Sequence, residues 1–243
     1  MSKLFIIGTG PGATDLMSVR AHKAMEESDI IIGYKTYIDL VRSAFPDKEF
    51  KESGMREEIS RCREAVELAQ SGKTVSLICS GDAGVYGMAS PALLVADDMG
   101  FADTEVIPGI TAATAGAAVL GAPLGHDFCV ISLSDLLTPW ELIEKRLRCA
   151  AEGDFCISIY NPASKGRKDH LRNAAGILLE ILPGERICGY VKNIGREGEV
   201  QGICTLKELA ELDADMFTTV FVGNSRTKNV AGHMVTPRGY RDE

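Results

Sequence analysis

Three short apolar runs in the first half of the chain each stop abruptly in a loop of small residues. Residues 3–7 run into Gly8-Thr-Gly-Pro-Gly12, residues 75–79 into Ser80-Gly-Asp-Ala-Gly-Val-Tyr-Gly87, and residues 105–107 into Pro108-Gly-Ile-Thr111. Uninterrupted apolar runs of this kind read as strands buried on both faces, the pattern of a parallel sheet covered by helices. In open α/β sheets small ligands sit outside the carboxyl ends of the strands. Glycines there let backbone amides approach a ligand, because no Cβ intervenes. Three loops of this kind predict one composite site.

The intervening segments supply the helices. Periodicity and capping predict helices over 15–27, 34–45, 57–71, 89–99 and 112–120, with strands over 3–8, 29–33, 74–79 and 105–107. In the helix over 57–71, Ile59, Cys62, Val66 and Ala69 fall at helical spacing. Gly121-Ala-Pro-Leu-Gly125 interrupts the pattern and is taken as a domain boundary, giving domains 1–122 and 123–243. The second half continues with strands over 128–133 and 155–160, helices over 140–151 and 169–181, and a hairpin-like pair over 186–193 and 199–206. A short helix over 207–212 precedes a last strand over 218–223, which predicts a mixed sheet. The tail after Gly232 reads as loosely ordered.

Acidic residues outnumber basic ones, 34 to 26, for a net charge of −8. This argues against nucleic acid as the main ligand, which recruits clustered Lys and Arg. No apolar run approaches the ~20 residues of a membrane span, and the N-terminus lacks the apolar core of a signal peptide. The cysteines at 62, 79, 129, 149, 156, 188 and 204 contain no C-x-x-C pair, so buried free thiols in a reducing cytoplasm are expected and a metal site is not.

Gly8-Thr-Gly-Pro-Gly-Ala13 matches the dinucleotide fingerprint G-x-G-x-x-[GA]. Pro11 removes a donor from that loop, and the acid expected about 20 residues on does not end the second strand, which closes in Gly33-Tyr-Lys. A nicotinamide site, a structural turn and a wall for another ligand are the three readings. Asp82 sits where a carboxylate would accept hydrogen bonds from a ligand or cap the following helix, and Thr111 is equally placed to cap. In the second half, Tyr160-Asn-Pro-Ala-Ser-Lys-Gly-Arg-Lys168 follows a strand and carries Lys165, Arg167 and Lys168. It is either a solvated loop or a basic rim for an acidic substrate, with Arg167 suited to bidentate carboxylate binding. His126 and His170 stand near element starts.

As an ordered set these motifs resemble the tetrapyrrole methylases, the class III S-adenosylmethionine (SAM) methyltransferases of cobalamin and sirohaem synthesis. The matching pieces are Gly8-Thr-Gly-Pro-Gly12 with Asp15-Leu-Met17, Ser80-Gly-Asp82, Pro108-Gly-Ile-Thr-Ala112, Tyr160-Asn-Pro162 and Phe221-Val-Gly223. Within the family, Ser80–Ala89, Gly33-Tyr-Lys-Thr-Tyr37 and Ala83 in place of the usual Pro are similar to the branch that methylates precorrin-3B at C17.

The resemblance implies two α/β domains with SAM in the trough between them. Ser80, Gly81, Asp82, Val85, Tyr86, Thr111 and Ala112 would contact SAM, joined by Asn161, Asn193, Thr218 and Thr219 from the second domain. Gly10, Pro11, Gly12 and Lys35 would face the macrocycle. It implies methylation of precorrin-3B or its cobalt form with ring contraction, which needs a base and an acid; Lys165, Arg167, His126 and His170 are the candidates. A homodimer is implied as well. The alternatives are another precorrin methylase, an NAD-linked oxidoreductase built on the fingerprint, and a non-enzymatic tetrapyrrole carrier.

Overall fold

The computed structural model describes residues 2–164 and 166–240. By its internal contacts the chain forms two compact units, Met1–Ala112 and Ala113–Glu243. The division lies ahead of the expected boundary at 122/123.

The first unit alternates strands and helices as the apolar pattern requires. In chain order come β1 (Lys3–Gly8), α1 (Val19–Glu27), β2 (Ile30–Tyr34), α2 (Lys35–Val41), β3 (Glu49–Ser53), α3 (Glu58–Gln70), β4 (Thr74–Cys79), α4 (Ala89–Asp98) and β5 (Thr104–Ile107). The strands form one sheet in the order β3-β2-β4-β1-β5, all parallel. Alternation along β1 sends Leu4 and Ile6 into a cluster with α3 and α4, and Phe5 and Ile7 into a second cluster with α1 and α2. Burial on both faces is why these strands read as unbroken apolar runs.

Two expectations shift locally. The helix over 15–27 begins only at Val19, because the Ser18 hydroxyl caps it by accepting from Ala21 N at 3.1 Å. Strand β3, Glu-Phe-Lys-Glu-Ser, was not anticipated; it is an edge strand whose charges face solvent and hide any apolar alternation. On α3 the buried face is Arg61, Cys62, Ala65, Val66 and Ala69, and Ile59 is exposed.

The second unit holds α5 (Ala112–Leu120), β6 (Gly121–Ala122), β7 (Phe128–Ser132), α6 (Trp140–Glu152), β8 (Cys156–Tyr160), α7 (His170–Leu179), β9 (Ile187–Lys192), β10 (Val200–Thr205), α8 (Leu206–Leu209), β11 (Thr218–Val222), β12 (Lys228–Val230) and β13 (His233–Val235). Its main sheet runs β10-β9-β11-β8-β7, mixed as expected, with β7 and β8 parallel and the other pairs antiparallel. Helices α6, α7 and α8 pack on one face around Ile131, Ile157, Ile159, Val220 and Val222.

Helix α5 belongs to this unit because it lies tightly against the other face. A Cβ on Gly116 would come within 2.9 Å of Phe221 Cζ, so the small residues of α5 are what allow the approach. The tail is also ordered differently from expectation. Strand β13 pairs with β12 and, in parallel, with β6, burying Met234 completely. Beyond it, Thr236 donates its hydroxyl to Pro123 O at 2.7 Å, so the chain stays anchored past Gly232.

All seven cysteines are free thiols, four of them buried, and Cys149 is exposed. Burial pushes the thiols of Cys62, Cys79, Cys129 and Cys204 up to about 11, which withholds the thiolate. Among the described residues no helix is long and apolar enough to cross a membrane.

Iodoacetamide applied to the native protein near neutral pH should therefore alkylate Cys149 well ahead of the other thiols, as peptide mass mapping over time would show. Met234→Ala should cost about 2–5 kcal/mol, as for a large-to-small change in a core. A lowered urea midpoint at constant slope would report it; a midpoint equal to wild type would mean the tail is not part of the fold.

Candidate active site

In the first unit all strands are parallel, so every carboxyl end lies at one edge of the sheet, and the neighbouring order β4-β1-β5 brings their three loops together. They cross at backbone distance. A Cβ on Gly109 would lie 2.1 Å from Gly81 O and 2.5 Å from Gly8 O, and one on Gly8 would lie 2.8 Å from Gly109 N. No residue but glycine fits at these crossings. Gly10 and Gly81, both left-handed, exchange hydrogen bonds: Gly10 N donates to Gly81 O at 3.0 Å, and Gly81 N to Gly10 O at 2.7 Å. The Thr9 amide and hydroxyl both donate to Cys79 O.

Asp82 ties the junction. One carboxylate oxygen accepts from Gly84 N at 2.8 Å and the other from Gly109 N at 2.9 Å. It does not cap α4, whose N-cap is Met88. Hydrogen bonds to a charged group contribute roughly 1.5–3 kcal/mol each, so Asp82 holds the β4 and β5 loops in fixed relation. Beyond it, Tyr86 adopts φ 53° and remains 59% exposed. A bulky residue held left-handed is a strained position of the kind that collects at functional sites.

These bonds decide against the dinucleotide reading of Gly8–Ala13. The amides of Thr9 and Gly10 are already used inside the protein, and Pro11 has none. Helix α1 starts only at Val19, capped by Ser18, and not directly after the glycine loop as the fingerprint requires. Gly10 and Pro11 are buried, and Gly12 is half-buried. Lys35 begins α2 at the same edge, and its ammonium is engaged by Glu52 Oε1 at 3.1 Å, which raises its pKa.

In the second unit the mixed sheet gathers a different set at one edge. Asn161 follows β8, Asn193 follows β9, and Thr218 opens β11, level with Lys192 because β11 runs antiparallel to β9. Both asparagines are left-handed, at φ 53° and 54°. Asn161 Nδ2 donates to Ser132 Oγ at 2.9 Å, and Asn193 Nδ2 to Gly198 O at 3.3 Å. Thr218 and Thr219 are buried, and the Thr218 hydroxyl donates to Asp215 Oδ1 at 3.0 Å. Partial burial pushes the Asp215 carboxyl up, but Lys192, the Phe217 amide and the Thr218 hydroxyl outweigh it and leave it below the usual carboxylate range. The Tyr160 hydroxyl accepts from Ala113 N at 2.6 Å, occupying an amide at the start of α5.

Arg167 lies on this edge between β8 and α7, with Nη1 2.7 Å from Ser134 Oγ. His126 does not. It precedes β7 at the opposite end of the sheet, and its Nδ1 accepts from Asp127 N at 2.9 Å. Lys165 lies outside the described residues. Ser132, Tyr160 as an acceptor, and Asp135 were not anticipated; the left-handed asparagines could have been, since Asn tolerates that conformation.

The sequence pattern of the Tetrapyrrole (Corrin/Porphyrin) Methylases matches residues 3–210. The chain belongs to the tetrapyrrole methylases. This methylase is 48% identical over 238 residues, 98% of its own length and 99% of the other, to a probable cobalt-factor III C(17)-methyltransferase of Salmonella typhimurium. It is 39% identical to the precorrin-3B C(17)-methyltransferase of Sinorhizobium sp, over 98% of this chain and 96% of that one. The crystal structure of the methyltransferase CobJ superposes with TM-score 0.90 at 36% identity, covering 98% and 100% of the two chains. A uroporphyrin-III C-methyltransferase from Thermus thermophilus, solved with S-adenosylhomocysteine, shares the fold at TM-score 0.70 and 20% identity, over 91% and 92% of the chains.

Gly109→Ala should destabilise the methylase by about 1–3 kcal/mol or more, because the added methyl meets backbone on two sides. Gly176→Ala, in the interior of α7 with open space around it, should stabilise by about 0.5–1 kcal/mol. Thermal unfolding of the two variants, run side by side, should move in opposite directions.

Proposed function

We propose that this methylase transfers a methyl group from SAM to C17 of the precorrin-3B macrocycle, or of its cobalt form, with contraction of the ring in corrin synthesis. The greater identity to the cobalt-factor III relative favours the cobalt-containing substrate. The observation that carries the reading over an oxidoreductase is the Gly10–Gly81 exchange, which uses the amides a pyrophosphate would need. A homodimer in the cytoplasm goes with the same proposal.

The residues of the β4 loop suit SAM. Gly81, Gly84 and Gly87 leave the main chain uncovered, and the exposed Tyr86 offers an aromatic face, a combination suited to an adenosine and an amino-acid moiety. SAM supplies an electrophilic methyl on sulfonium. The protein's part is alignment, and holding two reactants in line is worth roughly 7–11 kcal/mol of a barrier. Asp82 serves by keeping the β4 and β5 loops rigid. Ser80, Val85, Thr111 and Ala112, with Asn161, Asn193, Thr218 and Thr219, complete the proposed SAM contacts. Gly10, Pro11, Gly12 and Lys35 are proposed for the macrocycle. Arg167 and His170 stay as the described candidates for handling its carboxylates and protons.

Calorimetric titration with S-adenosylhomocysteine tests this. Wild type should bind at one site with micromolar affinity, and Asp82→Ala, which removes the two hydrogen bonds that fix the β4 and β5 loops, should bind at least about tenfold more weakly. Binding of NADH in place of S-adenosylhomocysteine would overturn the proposal.

A further inference from the structure

The loop after β7, residues 134–139, combines features that a merely structural turn does not need. Ser134 and Asp135 point toward Arg167 and His170, whereas Leu136 is 59% and Leu137 98% exposed. A leucine left this open beside charged groups is a feature to account for, since adjacent exposed leucines form an apolar patch on an otherwise polar rim.

The charged groups are held but not saturated. Arg167 Nε donates to Ser164 Oγ at 3.0 Å and Nη1 to Ser134 Oγ at 2.7 Å. Both acceptors are neutral. Asp135 Oδ1 stands 3.7 Å from Arg167 Nη1, beyond hydrogen-bond length, and Arg167 Nη2 has no partner among the described residues. Asp135 Oδ2 lies 3.2 Å from His170 Nε2, yet that buried nitrogen makes no hydrogen bond. The His170 ring is itself fixed by Trp140, edge to face at 4.9 Å. Buried polar atoms are rarely left unsatisfied without cause, and groups that act on a ligand are often poorly aligned before it arrives.

We infer that residues 134–137 and Arg167 form a docking point for one carboxylate arm of the macrocycle and for the apolar edge beside that arm. The inference rests on the tetrapyrrole reading above and adds the substrate-recognition element to it. Arg167 is oriented by two hydroxyls, so its planar fork loses little freedom on binding, and its open side can take a carboxylate. Leu136 and Leu137 supply apolar contact where a pyrrole edge would lie next to its acidic arm. Asp135 is a positioning residue, placed between the guanidinium and the imidazole at 3.7 and 3.2 Å and hydrogen-bonded to neither.

Trp140 is the only tryptophan of the chain and touches the cluster through His170, so its fluorescence reports on this place. The probe is uroporphyrin III, a tetrapyrrole bearing carboxylate arms, titrated against Trp140 emission with S-adenosylhomocysteine calorimetry in parallel. Arg167→Met should raise the dissociation constant at least about tenfold, Arg167→Lys by less, since lysine keeps the charge and loses the fork. Leu137→Ser should raise it about three- to tenfold. Added salt should weaken wild type more than Arg167→Met. Uroporphyrin affinity unchanged in Arg167→Met, with S-adenosylhomocysteine binding intact, would overturn this inference alone. So would a Leu137→Ser variant that alters only the oligomeric state. Failure of wild type to bind S-adenosylhomocysteine would instead remove the methyltransferase reading beneath it.

Discussion

Everything at the carboxyl edge of the first sheet depends on three peptide groups passing one another at Gly8, Gly81 and Gly109. Parallel strands in the order β4-β1-β5 point their loops the same way, and neighbouring strands lie only about 4.8 Å apart. The loops therefore collide unless the side chains at the crossing vanish. Once they do, the backbone groups satisfy each other, and the Asp82 carboxylate joins the outer two loops through Gly84 N and Gly109 N. This internal use of amides is also what separates the chain from a dinucleotide enzyme with similar letters. A loop whose donors are spent on its neighbour cannot cradle a pyrophosphate.

The second unit reaches a comparable edge by different means. Its sheet is mixed, so the start of β11 arrives beside the ends of β8 and β9. Two asparagines in left-handed conformation turn the chain there, Asn161 bonded through its amide across to Ser132 of β7 and Asn193 locally to Gly198. Helix α5 lies against the opposite face because its residues are small enough to admit Phe221 and Ile194.

An acidic protein that handles a polycarboxylate must keep some positive charge in reserve. Lys35 and Lys192 each donate to a carboxylate at the strand ends, Glu52 and Asp215, which a macrocycle carboxylate reaching Lys35 would have to share or displace. Arg167 is different. Its guanidinium donates only to serine hydroxyls, and its carboxylate neighbour, at 3.7 Å, takes none of its hydrogen bonds, so one side of the fork stays open to a ligand. The net charge of −8 thus says little about local chemistry.

What the sequence determined by itself was the part governed by local periodicity. Strands β1 and β4 and helix α5 were legible to the residue, because burial on both faces or dense small residues leave unambiguous patterns. The three glycine loops, and with them the family, were legible for the same reason. Edge strand β3 was not, since a strand made largely of charged residues carries little alternation to read, and the three-residue strands β12 and β13 are too short to show any. Only the tertiary structure decided that His126 falls at the end of its sheet away from Arg167, that Asp82 binds Gly109 rather than a helix, and that Asp135 meets Arg167 and His170. Those facts follow from strand direction and register, which join residues far apart in the chain and leave no trace in the spacing of either one.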